Sequence, residues 1–206
     1  MFYIADLNLV KGVPFMAAAW YFWARGDKET RNRVVDFVVA ALLASVITQT
    51  LALTLPERPR PMHEASLGLE LMQKLHPTVL KDWSSFPSGH AALFFALAVG
   101  LMPLSRWLSW FAIAWVAVVI CLSRVYLGYH YLSDILGGAL IGVAVALVYP
   151  HLPLHRWGGA MVNVAERAPG LFHAAAFVLT FELTIMLADV RQLGSQAVKV
   201  LKMLVG

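Results

Sequence analysis

The chain has 206 residues, of which 60% are hydrophobic and only 14% carry a charge, with a net charge of +4. A soluble domain of this size is usually near half apolar and a quarter charged, so this composition, with a mean hydropathy of +0.69, excludes an ordinary soluble protein. The modest net charge gives no indication of nucleic-acid binding. The sequence predicts an all-α, polytopic membrane bundle that forms a single domain over residues 1–206.

Six apolar blocks predict about six transmembrane helices, at residues 9–24, 35–55, 89–105, 107–124, 132–151 and 168–188. The second block is the clearest, because no charge occurs between Asp36 and Glu57. The first is short and must use residues near Lys11, whose long side chain can reach the membrane surface. The sixth contains Glu182, which could either pair with a basic group or reach the outer interface.

The orientation of these helices follows from the basic residues between the first two blocks. The short connection from Arg25 to Arg33 carries four basic side chains, so the positive-inside rule predicts that it is cytoplasmic. By alternation, residues 56–86 and 124–131 then lie on the extracytoplasmic face, and residues 103–106 and 152–167 lie inside. The C-terminus is cytoplasmic instead if the sixth block does not span the membrane.

The first segment with chemical potential follows the second block. Arg58 and Arg60 are separated by one residue and flanked by prolines, which restrict the chain to an extended path. Alternate residues of an extended chain point the same way, so both arginines could face one site. Arg58 is predicted either as a second phosphate contact or as a solvated charge.

Further along this connection, residues 67–75 carry apolar side chains with helical spacing, at Leu67, Leu71, Met72 and Leu75. This spacing predicts a short interfacial helix. The helix could act as a lid or lateral gate for a lipid tail, or could simply pack on the bundle.

The second segment, Pro87-Ser88-Gly89-His90, is typical of a helix start. Ser88 can cap the helix, and Gly89 lets an anion approach the backbone. Free N–H groups and the helix dipole favour an oxyanion at this position. His90 is placed to protonate a leaving oxygen.

The third segment combines Ser123-Arg124 with His130 and Asp134 at the start of the fifth block. His130 and Asp134 are four residues apart and therefore share a helix face. The carboxylate can accept the Nδ1–H of the imidazole, which leaves Nε2 free as a nucleophile. Arg124 ends the fourth block, and its planar guanidinium suits two phosphate oxygens.

No metal-ligand motif is evident, and no cofactor is predicted. His90, His130 and Asp134 could in principle hold a cation, but three arginines nearby favour an anion. Within the fifth block, Gly138 and Gly142 form a Gly-x-x-x-Gly pattern that predicts close packing inside the bundle rather than a dimer face. The oligomeric state is left open.

Taken together, the three segments, which span residues 58–134, resemble the type 2 phosphatidic acid phosphatase family. Arg60-Pro61 fits the end of the family's first motif, Lys-x6-Arg-Pro, but Leu53 stands at the lysine position. Counting from Arg58 puts Leu51 there instead. The resemblance implies that His130 is the nucleophile and becomes phosphohistidine.

The same resemblance implies the remaining roles. Asp134 would orient the nucleophile, and His90 would serve as acid and then base. The oxyanion would be held by Arg60, Arg124, Ser88 and the Gly89 backbone, with Arg58 as a further contact. This is metal-independent phosphatase chemistry.

Among family branches, the small size, short loops and missing lysine look most like bacterial undecaprenyl pyrophosphate phosphatases. The implied location is the bacterial inner membrane, with the site on its extracytoplasmic face. Phosphatidylglycerol phosphate, phosphatidic acid and lipid A phosphates are the alternative substrates, since the motifs recognise only phosphate. Two other classes are a vanadate-dependent haloperoxidase, which six apolar blocks disfavour, and a catalytically silent phospholipid-binding or transport protein.

Overall fold

The computed structural model describes residues 7–67, 83–153 and 156–186. This part of the chain is helical and contains no β-strand, which confirms the all-α prediction. The helices are α1 (Asn8–Lys11), α2 (Val13–Arg25), α3 (Lys28–Thr54), α4 (Gly89–Gly100), α5 (Arg106–Tyr126), α6 (Leu132–Val148), α7 (Arg156–Arg167) and α8 (Pro169–Thr184). Short 3₁₀ turns cover Pro61–His63, Ala65–Leu67 and Tyr149–His151.

Three helices are long and apolar enough to cross a membrane: α3, α5, and α6 together with the turn that follows it. They correspond to the second, fourth and fifth predicted blocks. The other three blocks form shorter helices, with 13 residues in α2, 12 in α4 and 16 in α8. A span needs about 20 residues, so six membrane crossings remain a prediction.

The short helix α4 lies at the centre of the bundle, packed between α3 and α6. Nearly all of its side chains are buried, and many are alanines, which allow neighbouring helices to approach closely. A Cβ atom at Gly138 would collide with the carbonyl oxygen of Ser88, and one at Gly142 with that of Ala92. The predicted close packing at these glycines therefore lies inside the bundle, between α6 and α4.

Side-chain caps fix where the helices begin. Asp27 accepts a hydrogen bond from the backbone N–H of Thr30 at 2.9 Å, which starts α3. Ser88 accepts one from the N–H of Ala91 at 3.4 Å, which starts α4 as predicted. Within α5, residues 116–121 form a π-helical segment just before Ser123 and Arg124. Such segments often occur at functional sites.

Contacts between distant residues show which connections share one end of the bundle. Arg33 donates to the carbonyl of Pro103 at 2.8 Å, and Lys28 pairs with Glu166 at 2.8 Å. The start of α3, the α4–α5 turn and α7 therefore lie together, in agreement with the predicted alternation. We call this the basic end. The C-terminus of α3 and the N-termini of α4 and α6 meet at the opposite end.

Two charged residues of the bundle, Lys11 in α1 and Glu182 in α8, are at least partly buried. Lys11 does not extend to the surface but is buried, with only 5% of its surface exposed. Glu182 has one carboxylate oxygen, Oε2, that is buried and has no hydrogen-bond partner among the described residues. The described residues therefore do not decide between the two predicted environments of Glu182. The predicted interfacial helix at 67–75 lies outside the described residues except for Leu67.

Candidate active site

The three segments converge on one cavity of about 510 Å³ at the end opposite the basic end. Each segment contributes to its lining: Arg60 from the first, Gly89 and His90 from the second, and Arg124 and His130 from the third. Ser88 and Asp134 are fully buried behind this surface, and Arg58 is not part of the lining. The fold thus brings together Arg60 and His130, which are 70 positions apart in the chain.

His130 is held in one tautomer by its two neighbours. Its Nδ1 lies 2.8 Å from the carbonyl oxygen of Ser85, which can only accept, so Nδ1 carries the proton. Its Nε2 lies 3.3 Å from Nη1 of Arg60, which can only donate. Nε2 is therefore the unprotonated nitrogen, as a nucleophile requires, and its lone pair accepts a hydrogen bond from Arg60 in this structure.

Asp134 has different partners from those predicted. Its Oδ2 lies 3.7 Å from Nδ1 of His130, beyond hydrogen-bond distance, and accepts instead from the N–H of Tyr131 at 2.8 Å. The Nδ1–H of His130 goes to Ser85. The carboxylate caps α6 and acts on the imidazole through its charge.

Arg60 is the more completely defined of the two buried cavity arginines. Its Nη1 donates to the carbonyl of Tyr129 at 2.8 Å, and its Nη2 to that of Ser84 at 3.3 Å. Its Nε is buried and has no hydrogen-bond partner within the described residues. The backbone carbonyls thus fix the position of the guanidinium.

Arg124 approaches the same cavity from the end of α5. Only 5% of its surface is exposed, and its guanidinium carbon lies 5.2 Å from the ring centroid of Tyr129. Stacking on an aromatic face orients a guanidinium without neutralising it. Arg60 and Arg124 therefore present two positive charges to one space.

The N-terminus of α4 forms another wall of the cavity. A Cβ atom added at Gly89 would meet nothing within 4 Å, so the backbone there is open to an approaching oxygen. The N–H groups of the first helical turn lack intrahelical partners and favour an anion. His90, half-buried, extends from this turn with its ring centroid 6.4 Å from that of Phe94.

The charges of the site follow from burial. Burial lowers the pKa of Arg60 to about 10, assisted by the neighbouring Arg124 and opposed by Asp134. This side chain remains a cation at neutral pH. Burial also lowers the pKa of His130 below its ordinary value, so the neutral, nucleophilic imidazole is the favoured form.

The cavity continues along α3, away from the phosphate-binding groups. The polar residues Ser45, Thr48 and Gln49 line it, with the hydroxyls of Ser45 and Thr48 donating to backbone carbonyls of α3, whereas Leu53 contributes apolar surface and is 75% exposed. Leu53 is the position where the family motif has lysine. The cationic side chains that line the cavity in the described part of the chain are therefore arginines and not lysines.

Sequence reasoning missed the groups that orient the site through their backbones. Ser84, Ser85 and Tyr129 contribute carbonyl oxygens that position Arg60 and His130. Any residue type has a carbonyl, so composition carries no signal for this role. Their position immediately beside Pro87-Ser88-Gly89-His90 and His130 was the available indication.

Within the described residues, no three His, Cys, Asp or Glu side chains are grouped as a metal site would need. Among the described residues that line the cavity, the two arginines outnumber the one carboxylate, that of Glu57. This set of charges fits an anion such as phosphate better than a cation.

A family model for the PAP2 superfamily matches residues 33–157, more than half of the chain. The chain belongs to this superfamily, which confirms the family suggested by the three segments. The matched region contains all the residues predicted for the site and extends from α3 to the start of α7.

The chain is also similar to individual proteins, at modest identity or over a short part of their length. YbjG of Escherichia coli K12, provisionally named an undecaprenyl-diphosphatase, is 30% identical over 136 residues, which are 66% of this chain and 64% of YbjG. Undecaprenyl-diphosphatase BcrC of Bacillus subtilis is 23% identical over 72% of this chain and 71% of its own. The lipid A 4'-phosphatase of Bacteroides thetaiotaomicron is 49% identical, over 28% of this chain and 26% of its own. No solved structure matches the chain.

Proposed function

We propose that the protein is an integral membrane lipid phosphatase that works through a phosphohistidine at His130. The observation that carries this proposal is the unprotonated Nε2 of His130, a residue that lines one cavity together with two buried arginines. A positioned nucleophile beside preorganised cations is what phosphoryl transfer needs. Membership of the PAP2 superfamily supports the same chemistry.

The first step would transfer the terminal phosphoryl group. Nε2 of His130 attacks the terminal phosphorus, an N–P bond forms, and the bond from that phosphorus to the oxygen of the leaving group breaks, which in a pyrophosphate is the bridging oxygen. His90, protonated, gives its proton to the departing oxygen. Arg60, Arg124 and the first N–H groups of α4, beginning at Gly89, would hold the equatorial oxygens as charge develops on them. Ser88 would act as the cap of α4, because its own N–H donates to the carbonyl of Asp134 at 3.0 Å.

The second step would release inorganic phosphate. His90, now neutral, takes a proton from water, whose oxygen attacks phosphorus while the N–P bond breaks. Asp134 stabilises the positive charge that the imidazole ring carries in both steps. Both histidines return to their starting protonation states, and each turnover consumes one water.

We propose undecaprenyl pyrophosphate as the substrate, supported by the names of YbjG and BcrC. Lipid A phosphate is the second candidate. It is favoured by the local similarity to the Bacteroides enzyme and by the polar row of Ser45, Thr48 and Gln49. A pure hydrocarbon chain has no hydrogen-bonding groups to offer that row, whereas a lipid with amide or hydroxyl groups does.

The central experiment measures phosphate release by purified protein in one detergent. The panel contains undecaprenyl pyrophosphate, lipid A, phosphatidic acid and phosphatidylglycerol phosphate, and kcat/KM is compared. We expect undecaprenyl pyrophosphate to exceed the glycerophospholipids by at least about tenfold, or about 1.4 kcal/mol of differential transition-state binding. A higher value for lipid A would replace the proposed substrate and leave the catalytic residues unchanged.

Acid-sensitive, alkali-stable phosphoenzyme should form from terminally labelled substrate in the wild type and be absent from His130→Ala. Turnover should survive excess EDTA, in accord with metal-independent catalysis, and be inhibited by orthovanadate, which mimics the transferring phosphoryl group. Loss of activity on chelation that a divalent ion restores would contradict metal independence. Phosphoenzyme of unchanged amount in His130→Ala would refute the nucleophile.

We also propose that the site opens on the extracytoplasmic face of the inner membrane. In a Cys121→Ala background, single cysteines replace Ser66 beside the site and Glu29 at the basic end, two exposed positions. An impermeant maleimide applied to intact cells should label position 66 and not position 29. The opposite pattern would reverse the orientation.

A further inference from the structure

Arg58 lies at the edge of the site but faces away from the cavity. Its Nη1 donates to Oδ1 of Asp134 at 2.7 Å and to Oγ of Ser133 at 2.8 Å. Its guanidinium carbon also lies 4.1 Å from the ring centroid of Tyr131. Arg58 therefore contacts three residues at the start of α6, whereas Arg60, two positions later, lines the cavity.

The partner of Arg58 is a carboxylate with no exposed surface. Asp134 is 0% exposed, and burial of an unpaired carboxylate is costly. Arg58 binds its Oδ1, and the N–H of Tyr131 binds its Oδ2. Both oxygens are thus held, and the carboxylate is kept 3.7 Å from Nδ1 of His130.

Other charged groups face Asp134 from the surrounding elements. His130 lies before α6, and Arg60 approaches from the proline-rich segment. Arg60 is directed at Tyr129, Ser84 and His130 rather than at the carboxylate. Arg58 is the cation whose contact with Asp134 the hydrogen-bond geometry defines.

We infer that Arg58 is a positioning residue that acts on His130 through Asp134, and is not a phosphate ligand. By holding the carboxylate ionised and stationary, it keeps a negative charge beside the imidazole ring when His130 becomes positively charged during attack. The inference rests on the proposed function for its kinetic consequence. Its geometric part, that Arg58 does not touch the anion, is independent of turnover.

The kinetic test is a double-mutant cycle of Arg58→Ala and Asp134→Asn, assayed with the best lipid substrate of the wild type. We expect Arg58→Ala to lower kcat about 10- to 100-fold with KM changed less than about threefold, the pattern of an interaction made in the transition state. In the Asp134→Asn background the same substitution should cost less than about threefold, because its target is already neutral.

Two further variants separate positioning from simple loss of structure. Arg58→Lys should recover most of the lost kcat, because a single nitrogen makes both contacts and an ammonium can replace it. The acid limb of the Arg58→Ala pH–rate profile should move to higher pH, because a carboxylate without its cation is protonated more easily.

Arg33→Ala is the matched control. The side chain of Arg33 is 43% exposed, against 40% for Arg58, and it also binds a carboxylate, that of Glu29.

Binding of inorganic phosphate, measured by thermal shift, decides whether Arg58 contacts the anion. Arg58→Ala should leave the phosphate dissociation constant within about threefold, whereas Arg60→Ala should raise it about tenfold or more. An equal rise of the phosphate dissociation constant in Arg58→Ala and Arg60→Ala would overturn the inference. So would a double-mutant cycle in which the losses of kcat from Arg58→Ala and Asp134→Asn simply multiply. If the wild type hydrolyses no lipid phosphate, the proposed function fails, but this binding measurement still gives its answer. Should Arg58→Ala not fold, Arg58→Lys and Ser133→Ala are measured in its place.

Discussion

The two ends of the bundle use arginine in contrasting ways. At the basic end, Arg25 and Arg33 remain in contact with solvent and bind a tyrosine hydroxyl, a carboxylate and a carbonyl at the surface. At the site, Arg60 and Arg124 are buried, and the guanidinium of Arg60 is bound by backbone carbonyls. Exposed cations help to orient a membrane protein, whereas a buried cation in or near the membrane is costly and suggests a functional role.

The largest expected effect is at the nucleophile. His130→Ala should abolish turnover, and His90→Ala should reduce it by about 10²–10⁴-fold, the usual contribution of a general acid. His151→Ala, at an exposed position beyond α6, is the matched control and should leave phosphate release unchanged. Near-normal turnover in a folded His130 or His90 variant would remove that residue from the mechanism.

The next effect tests the contrast between arginines directly. Arg60→Ala should lower kcat/KM by about 10²–10³-fold, as expected for loss of a preorganised donor to the transferring group. Arg25→Ala, at the basic end, should stay within about twofold, as is usual for surface substitutions. Steady-state kinetics on both purified variants make the comparison. Similar losses would mean that burial of Arg60 serves the fold rather than the anion.

A third prediction concerns stability at the site end. Gly142→Ala should destabilise the protein by about 1–3 kcal/mol, because its new methyl group meets the carbonyl of Ala92. Gly159→Ala in α7 meets nothing within 4 Å and should be neutral or stabilising by up to about 1 kcal/mol. Unfolding in a fixed detergent measures both. If Gly159→Ala also destabilised the protein, the loss of stability in Gly142→Ala could not be assigned to the packing of α6 against α4.

The pH dependence should reflect the buried imidazole. Burial disfavours the imidazolium form of His130 and lowers its pKa below 6.5, so the neutral nucleophile persists as the pH falls through that value. Phosphoenzyme formation should be followed with an aryl phosphate, whose leaving group needs no proton from His90. We expect its acid limb below pH 6.5. If the rate of phosphoenzyme formation instead fell off at or above pH 6.5, His130 would behave as a solvated histidine.

The smallest expected effect is at the basic end. Lys28 and Glu166 form an ion pair of 2.8 Å, but their side chains are 67% and 40% exposed. Lys28→Ala should therefore change the free energy of unfolding by no more than about 0.5 kcal/mol and leave turnover unaltered. A loss well above that value, measured as for the glycine variants, would show that the basic end stabilises the bundle substantially.

Side-chain patterns predicted the parts of the molecule in which side-chain identity determines structure. Ser88 does cap α4, Gly138 and Gly142 do allow close packing, and the three segments do meet. In each case the residue type restricts the local geometry by size or hydrogen-bonding capacity. The roles in catalysis remain predictions.

The features that sequence reasoning missed depend on tertiary contacts. The carbonyl of Ser85 binds His130, and Arg58 binds Asp134 rather than facing the cavity. Extended-chain alternation predicted that Arg58 and Arg60 could face one site, but only Arg60 lines the cavity, whereas Arg58 contacts the start of α6. Lys11 is buried although its sequence position allowed it to reach the surface.

The backbone contact between α4 and α6 has a consequence for how this enzyme can diversify. Because Gly138 and Gly142 meet the backbone of α4 directly, the wall that carries His90 and His130 tolerates little change. The facing wall, formed by α3, includes the exposed residues Val46 and Leu53. Substitutions on α3 could therefore alter which lipid is accepted while the reacting groups keep their geometry, so that the two properties can evolve separately.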